Sequence, residues 1–284
     1  MSMKASLHSG RNGSAKHNDR SFLTGKTSAE KAEIAPHINL DMTEQNSSFV
    51  AIGSKNNIEQ AELHAYKNMF HKSLEATNKR YIAQGHKERC RTIEDLYKAP
   101  QTRPEEVILQ VGNATRHISA NELKSCYVDY INRLGRWNAE HGKPMRLLSA
   151  VLHADETTPH VHVRRVWVYT DKDGNKRIGQ GKALEAAGIP LPHPDRPAGR
   201  YNNRKMEFDR MARALWIQTC RDHGIEIDDL PVHGVRHKDK QEFLTSEISK
   251  LQTELDKYRH LEEQYPEDFK HMRQRERRKT SFER

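Results

Sequence analysis

The sequence predicts an α+β fold, a mainly antiparallel sheet with flanking helices. Two strand-like runs, Leu147–His153 and His160–Tyr169, follow one another across a short polar link, the spacing of an antiparallel pair. Helical periodicity lies on both sides of them without the regular strand–helix alternation of a parallel sheet. Three Trp, nine Tyr and seven Phe supply a core even though charged residues make up 31% of the chain, which excludes a wholly disordered protein.

Residues 3–8 and 36–42 (Pro-His-Ile-Asn-Leu-Asp-Met) read as short strands, and 43–57, rich in Ser, Asn and Gly, as a loop. From Ile58 to Ala83 the pattern turns helical, with Leu63, Tyr66, Phe70 and Leu74 at spacings of three and four. Glu106–Val111 is an apolar strand. Ser119 and Glu122 form a capping box for a helix whose Leu123, Tyr127, Ile131 and Leu134 share a face; Gly142 and Pro144 end it. Asp171–Gly174 reads as a turn, and residues 189–200, with four prolines, as a stiff extended loop. A helix from Asn203 to His223 stops at Gly224. Leu244, Ile248, Leu251, Leu255 and Tyr258 then trace a short heptad seam, followed by a basic end that includes Arg273, Arg275, Arg277, Arg278 and Lys279.

Forty-eight Lys and Arg against 39 Asp and Glu leave a charge of +9, which points to an anionic partner, nucleic acid before a membrane surface. No run approaches the ~20 apolar residues that span a bilayer, and the first residues lack the apolar stretch of a secretory signal. Cys90, Cys126 and Cys220 are too few and too scattered for a disulfide framework or a Cys-x-x-Cys site. A reducing cytoplasm is the expected compartment. Neither a Walker A run nor a dinucleotide glycine pattern is present.

The chemistry concentrates in His153-Ala-Asp-Glu-Thr-Thr-Pro-His160-Val-His162. Residues two apart on a strand share a face, so His160 and His162 project together and Val161 and Val163 face the core. If Ala154–Pro159 turns the chain back, His153 joins them. Taken singly, each is an ordinary surface histidine. Three that meet on one face form a cradle for a divalent metal with positions left open for substrate oxygens. Imidazole-only ligation suits zinc, iron or nickel and admits manganese. Asp155 and Glu156, in the link, are placed to orient a ligating imidazole or accept a proton. A second segment, Lys16-His17-Asn18-Asp19-Arg20, follows Gly10, Gly13 and Ser14, in a loop or at a helix start. There His17 is a candidate nucleophile toward phosphorus and Arg20 a bidentate phosphate clamp, with Asn18 positioning the imidazole or a bound DNA. In the third, His37-Ile38-Asn39, His37 and Asn39 share a strand face.

Together these segments resemble the motifs of the Mob/Pre plasmid mobilisation and recombination proteins, the MobV class of relaxases: His-Asn-x-Arg, His-x-Asn and His-x-Asp-Glu-x-x-Pro-His-x-His, in that order. Here they read His17-Asn18-Asp19-Arg20, His37-Ile38-Asn39 and His153 to His162, within about residues 1–235. The resemblance implies a histidine–hydrophobe–histidine (HUH) endonuclease domain, taken as residues 1–240; the heptad seam and the basic end make 241–284 a helical, coiled-coil-like, basic tail, shorter than the long coiled coil of many relatives. It implies site- and strand-specific nicking of DNA at a transfer origin, through a covalent 5′-phosphate intermediate, for plasmid or transposon mobilisation. His17 would attack, with Arg20 and Glu156 beside it, and His153, His160 and His162 would hold the metal, Mn²⁺ first, with Mg²⁺ or another transition metal as alternatives. Asn18, His37, Asn39, Arg11 and Lys16 are the expected DNA contacts; Arg196, Arg200, Arg204 and Lys205 are further candidates.

The expected partners are a transfer-origin hairpin and its single strand, a homodimer mate and a conjugation coupling protein, in a bacterial cytoplasm and without a membrane. Activity is expected to fall as pH drops through an imidazole pKa near ~6.5. Most other relaxases use tyrosine, which keeps Tyr66, Tyr81 and Tyr97 in view as alternative nucleophiles. Three rival readings are a rolling-circle replication initiator, a nuclease without a covalent intermediate, and a metal-stabilised repressor.

Overall fold

The computed structural model describes residues 2–54 and 57–228, together with 249, 252, 253, 255–257, 259, 260 and 264–266. In chain order the elements are β1 (Ala5–Gly10), α1 (Ala15–Asn18), α2 (Ser28–Ile34), β2 (Ser47–Val50), α3 (Ile58–Ala83), α4 (Ile93–Lys98) and β3 (Glu105–Val111). They continue with α5 (Ala120–Glu140), β4 (Met145–His153), β5 (His160–Thr170), β6 (Lys176–Ile178), α6 (Gln180–Ala186) and α7 (Arg204–Asp222). Two units separate, Met1–Asp229 and Leu230–Arg284. In the second, the described residues are helical apart from Tyr265. Of the heptad seam, Leu255 is described and half-exposed; Leu244, Ile248, Leu251, Tyr258 and the basic end lie outside the described residues.

The first unit is built on an open antiparallel sheet ordered β1-β3-β5-β4-β2, with β6 added at the far end of β5. Period-two alternation along β5 explains its central place. Val161, Val163 and Trp167 pack under α5, α6 and α7 with Leu123, Tyr130, Phe208 and Trp216. Val166 and Val168 pack on the opposite face with Tyr66, Phe70 and Tyr97 of α3 and α4. Both faces are covered, so the two adjacent arginines of β5 are buried, one per face, and each meets a carboxylate. Arg164 Nε donates to Glu62 at 2.8 Å and Arg165 Nε to Glu105 at 2.7 Å. The predicted box caps α5: Ser119 accepts from Glu122 N–H while Glu122 accepts from Ser119 N–H.

Three expectations are corrected. Residues 36–42 are not a strand. Pro36 lacks an N–H, and the Asn39 side chain accepts from Asp41 N–H, a local bond that competes with a ladder. Only Ile38 bridges, to Glu156, and the chain then enters a 3₁₀ turn over Leu40–Gln45. The polar stretch 43–57 is not all loop, because β2 pairs along the exposed edge of β4. The proline-rich stretch is folded back rather than extended: the Asn202 amide nitrogen donates to the carbonyls of His193, Arg196 and Pro197.

Candidate polyhistidine site

Register brings the three motif histidines together. His153 ends β4 directly opposite His160 at the start of β5, and His162 is two residues further on, opposite Val151. Opposed residues of an antiparallel pair share a face. Ring centroids are 5.3 Å apart for His153 and His160, 4.7 Å for His153 and His162, and 4.8 Å for His160 and His162.

The outer nitrogen of each ring is engaged. His160 Nδ1 donates to the Thr158 carbonyl at 2.9 Å, His162 Nδ1 to Glu106 Oε1 at 2.6 Å, and His153 Nε2 to the Asn18 carbonyl at 3.0 Å. A carbonyl or carboxylate only accepts, so each of these nitrogens carries the hydrogen. The lone pairs of the neutral rings are then at His153 Nδ1, His160 Nε2 and His162 Nε2. His160 Nε2 and His162 Nε2 face each other at 3.0 Å, and the buried His153 Nδ1 has no hydrogen-bond partner. Facing lone pairs and an orphaned buried nitrogen fit a cation, and acceptors behind the rings are the usual support of ligating imidazoles. One ligand atom each from His17, His153 and His162 falls within 4.8 Å of the others, and the same holds for His153, Glu156 and His160. The predicted trio is thus distributed over two groups that share His153. Burial, then the neighbouring His162, pushes His160 down to about 4, which keeps its ring neutral.

Helix α1 carries the fourth imidazole. Ser14 caps it, and Ala15 packs on Val151 and Ile58, seating the turn on the histidine face of the sheet. His17 lies edge-on to His153 and His162 at 5.3 and 5.5 Å and keeps a third of its side chain exposed. Burial, then Arg20 and the two imidazoles, pushes it down to about 4. This corrects the expectation of a switch near 6.5. Arg20 NH1 lies 3.4 Å from His17 Nε2. Because arginine only donates, Nε2 is favoured as the lone-pair nitrogen.

Arg20 itself is buried and in the left-handed region, φ 60°. Its fork grips Asp155, with Nε to Oδ2 at 3.1 Å and NH2 to Oδ1 at 2.5 Å, and NH2 also reaches Glu156 at 2.9 Å. The guanidinium expected to clamp a phosphate is therefore engaged by the protein's own carboxylates. Asp155 has no exposed side-chain surface and needs such a partner. Glu156 Oε1 lies 3.5 Å from His153 Nδ1 and 3.6 Å from His17 Nε2. Burial raises its pKa, but the neighbouring imidazoles of His153 and His160 and the guanidinium of Arg20, which donates to it, hold it well below the usual carboxylate range.

The other predicted residues divide. Asn18 is buried; its amide nitrogen donates to Glu106 Oε1 at 3.2 Å, away from the surface. His37 and Asn39, though not on a strand, line one cleft of about 610 Å³ with Asp155 and Glu156. Lys16 is exposed and pairs with Glu59 at 3.3 Å. Arg11 holds the carbonyls of Pro100 and Gln101, and Lys205 is held by Glu105 and Asp209. Arg204 donates to the Ile189 carbonyl and Glu185; Arg196 and Arg200 are exposed. Tyr66 and Tyr97 are buried, their hydroxyls donating to the Thr102 carbonyl and to Glu62. Tyr81 lies 23 residues along α3 from Ile58, roughly 35 Å from the site end of that helix.

Two residues central to this geometry were not singled out as catalytic or metal-holding candidates. The sequence places Asp155 with Glu156 to orient an imidazole or accept a proton, but gives no sign that it grips Arg20. Glu106 was read as part of an apolar strand; it joins Asn18 to His162, and a Cβ on Gly13 would lie 1.4 Å from its Oε2. A carboxylate inside an otherwise apolar strand was the available signal.

An open antiparallel sheet with three imidazoles converging on one face, and a fourth brought over them by a helical turn, defines a polyhistidine site able to hold a divalent ion. No family model matches the sequence, and no curated protein matches it. Among solved structures, similarity is found to the MobM relaxase domain (MOBV; Mob_Pre) bound to plasmid pMV158 oriT DNA in an Mn-bound crystal at pH 6.8. That match has TM-score 0.48 and 15% identity, over 87% of this chain and 99% of that chain. A second crystal of that domain with oriT DNA, at pH 4.6, has TM-score 0.47 and 15% identity, over 86% of this chain and 100% of that one. What the site can do follows from this chain's own side chains.

Proposed function

We propose that the chain is a metal-dependent DNA relaxase. It nicks one strand at a transfer origin and keeps the cut end as a covalent adduct, for plasmid or transposon mobilisation. One observation carries the proposal: the His160 and His162 lone pairs face each other at 3.0 Å, with the orphaned Nδ1 of His153 on the adjoining ring and a fourth, neutral and partly exposed imidazole on α1. His153, His160 and His162 would hold the ion, Mn²⁺ first, with Mg²⁺ or another transition metal as alternatives. When bound, it supplies positive charge for the non-bridging oxygens of a phosphate.

His17 is the nucleophile. Its Nε2 lone pair forms the N–P bond while the P–O3′ bond breaks and that electron pair leaves with the 3′ oxygen. The imidazole releases its Nδ1 proton and the 3′ oxygen takes one up, so charge balances. The product is a phosphoramidate on the 5′ phosphate, and attack by a 3′ hydroxyl reverses it without ATP. Glu156, ionised, positions His17 through Arg20, which donates to Glu156 and faces His17 Nε2; Arg20 and Asp155 hold the β4–β5 link against α1. His37 and Asn39, which line the neighbouring cleft, together with Lys16 and Arg11, are the DNA contacts, and Asn18 positions Glu106. The relaxase domain is residues 1–240, with 241–284 as a helical, basic tail. A homodimer mate and a conjugation coupling protein are the expected protein partners, in the bacterial cytoplasm; no helix among the described residues is long and apolar enough to cross a membrane.

Two features weigh against tyrosine: Tyr66 and Tyr97 are buried in hydrogen bonds, and burial pushes the Tyr66 hydroxyl well above its ordinary value. The test is nicking of supercoiled DNA that carries the gene's upstream region. The wild type with Mn²⁺ is expected to give relaxed circles; chelation and His160→Ala are each expected to abolish them. Nicking that survives both would overturn the metal assignment.

A further inference from the structure

A second cleft, of about 590 Å³, opens at the other end of α3 and is not used by the chemistry above. Its wall is the last turns of α3, the 88–91 loop and the β5–β6 hairpin. Arg89, Arg91, Lys176 and Arg177 line it, against a single carboxylate, Glu88; Tyr81 supplies an aromatic ring, and Tyr169, whose ring packs on the core and under Lys182, forms part of the wall.

The cleft is built rather than incidental. Asn78 pins the loop to α3: its Nδ2 donates to the Arg91 carbonyl at 2.8 Å and its Oδ1 accepts from Arg91 N–H at 3.1 Å. Arg177 closes the opposite wall, donating to Asp171 at 2.8 Å and, through NH1, to the Ser73 carbonyl at 3.2 Å. Tyr169 is backed by Gly179, where a Cβ would approach its ring to 2.9 Å. Arg177 is thereby committed to structure, whereas Arg89, Arg91 and Lys176 stand exposed at the rim. Glu88 lies 3.8 Å from Arg89, both exposed, a pair too weak to neutralise the group.

We infer that this cleft is a second binding site for single-stranded DNA, distinct from the polyhistidine site. Rim cations track phosphates and the Tyr81 ring takes an unstacked base, a combination that duplex DNA, with its bases stacked, does not use. The choice of DNA as ligand rests on the proposed relaxase function. The α3 N-terminus is tied to the polyhistidine site by Ile58 N–H, which donates to Asp19 at 2.8 Å. Thr77 and Tyr81 are 19 and 23 residues further along, so the two sites are roughly 30 Å apart. A stacked strand covers that distance in about nine nucleotides.

The test is fluorescence anisotropy of the full chain with labelled oligo(dT), from about four to about 24 nucleotides long, across a salt series. The wild type is expected to gain affinity in a step once the oligonucleotide reaches both sites. In Arg89→Ala/Arg91→Ala/Lys176→Ala that step is expected to disappear. The salt slope for the long oligonucleotide should fall by about 2, from ~0.7 per lost phosphate contact. All three side chains are exposed, and matching circular dichroism would confirm the fold. Tyr81→Leu is expected to weaken binding to the long oligonucleotide with the salt slope unchanged.

Identical length dependence in wild type and triple variant would overturn the inference, as would a loss confined to duplex DNA. Nicking reports separately on the proposed function. A nicking wild type whose triple variant binds normally would sink the cleft alone. A chain that binds with a length step but never nicks would sink the relaxase and leave the cleft standing.

Discussion

His17, Arg20 and Glu106 show how single residues make the site. His17 is held neutral chiefly by burial, while Arg20, next to it, is gripped between two carboxylates. Glu106 orients His162 from behind, and room for it depends on Gly13. Gly13→Ala places a methyl on Glu106 Oε2, so the carboxylate must leave His162. Mn²⁺ affinity, measured by calorimetry, is expected to fall about 10–100-fold with the circular dichroism spectrum unchanged. Unaltered affinity would show that Glu106 has no part in holding the imidazole. The three motif histidines were readable because alternation on a strand is a property of neighbours in sequence. Glu106 was not, because its contact with His162 depends on the register between β3 and β5, and register is written in no single segment. Arg20 was expected to face a phosphate; Asp155, with no exposed side-chain surface, claims it instead.

At the scale of elements, the strongly periodic pieces were readable. α3 spans Ile58–Ala83 as its spacing predicts, and α5 begins at the Ser119 box. Short elements that lean on others were not. β2, α2, α4, α6 and β6 are each seven residues or fewer, too short for periodicity to register, and β2 exists through its pairing with β4. The His37–Asn39 segment reaches the site without being a strand, because Asn39 N–H donates to the Asp155 carbonyl at 2.7 Å. Ser119→Ala removes the acceptor for Glu122 N–H. It is expected to destabilise the protein by about 1 kcal/mol in urea unfolding. Unchanged stability would show that the box does not hold the start of α5.

For the whole molecule, a sheet covered on both faces buries charge as well as apolar surface. Glu105 is the clearest case. Burial raises its carboxyl pKa, but Arg165 and Lys205 overcome that and hold it at about 2, from an ordinary 4.5. A folded-state value below the unfolded one stabilises the fold above pH 4.5, and that stabilisation is lost as pH falls toward 2. The shift corresponds to roughly 3 kcal/mol. Unfolding free energy is expected to drop through this window in the wild type. In Glu105→Gln it should begin lower at neutral pH, because Arg165 and Lys205 lose their counter-charge, and fall less steeply. Parallel pH profiles for the two proteins would remove Glu105 from the balance. The fold class was readable at this scale, since two adjacent strands amid helices leave few other arrangements. The pairing of Arg164 and Arg165 with carboxylates on opposite faces was not, because it requires the layers to be in place.

The central claim, that a neutral histidine over a polyhistidine metal cradle takes the DNA strand, is tested most directly by locating the covalent bond. The protein, Mn²⁺ and supercoiled DNA carrying its upstream region are mixed, denatured at neutral pH, digested with protease and analysed by mass spectrometry beside His17→Ala. The expected product is an acid-labile nucleotide adduct on the peptide containing His17, absent from the variant. An acid-stable adduct on a tyrosine peptide, or nicked DNA with no adduct at neutral pH, would contradict it.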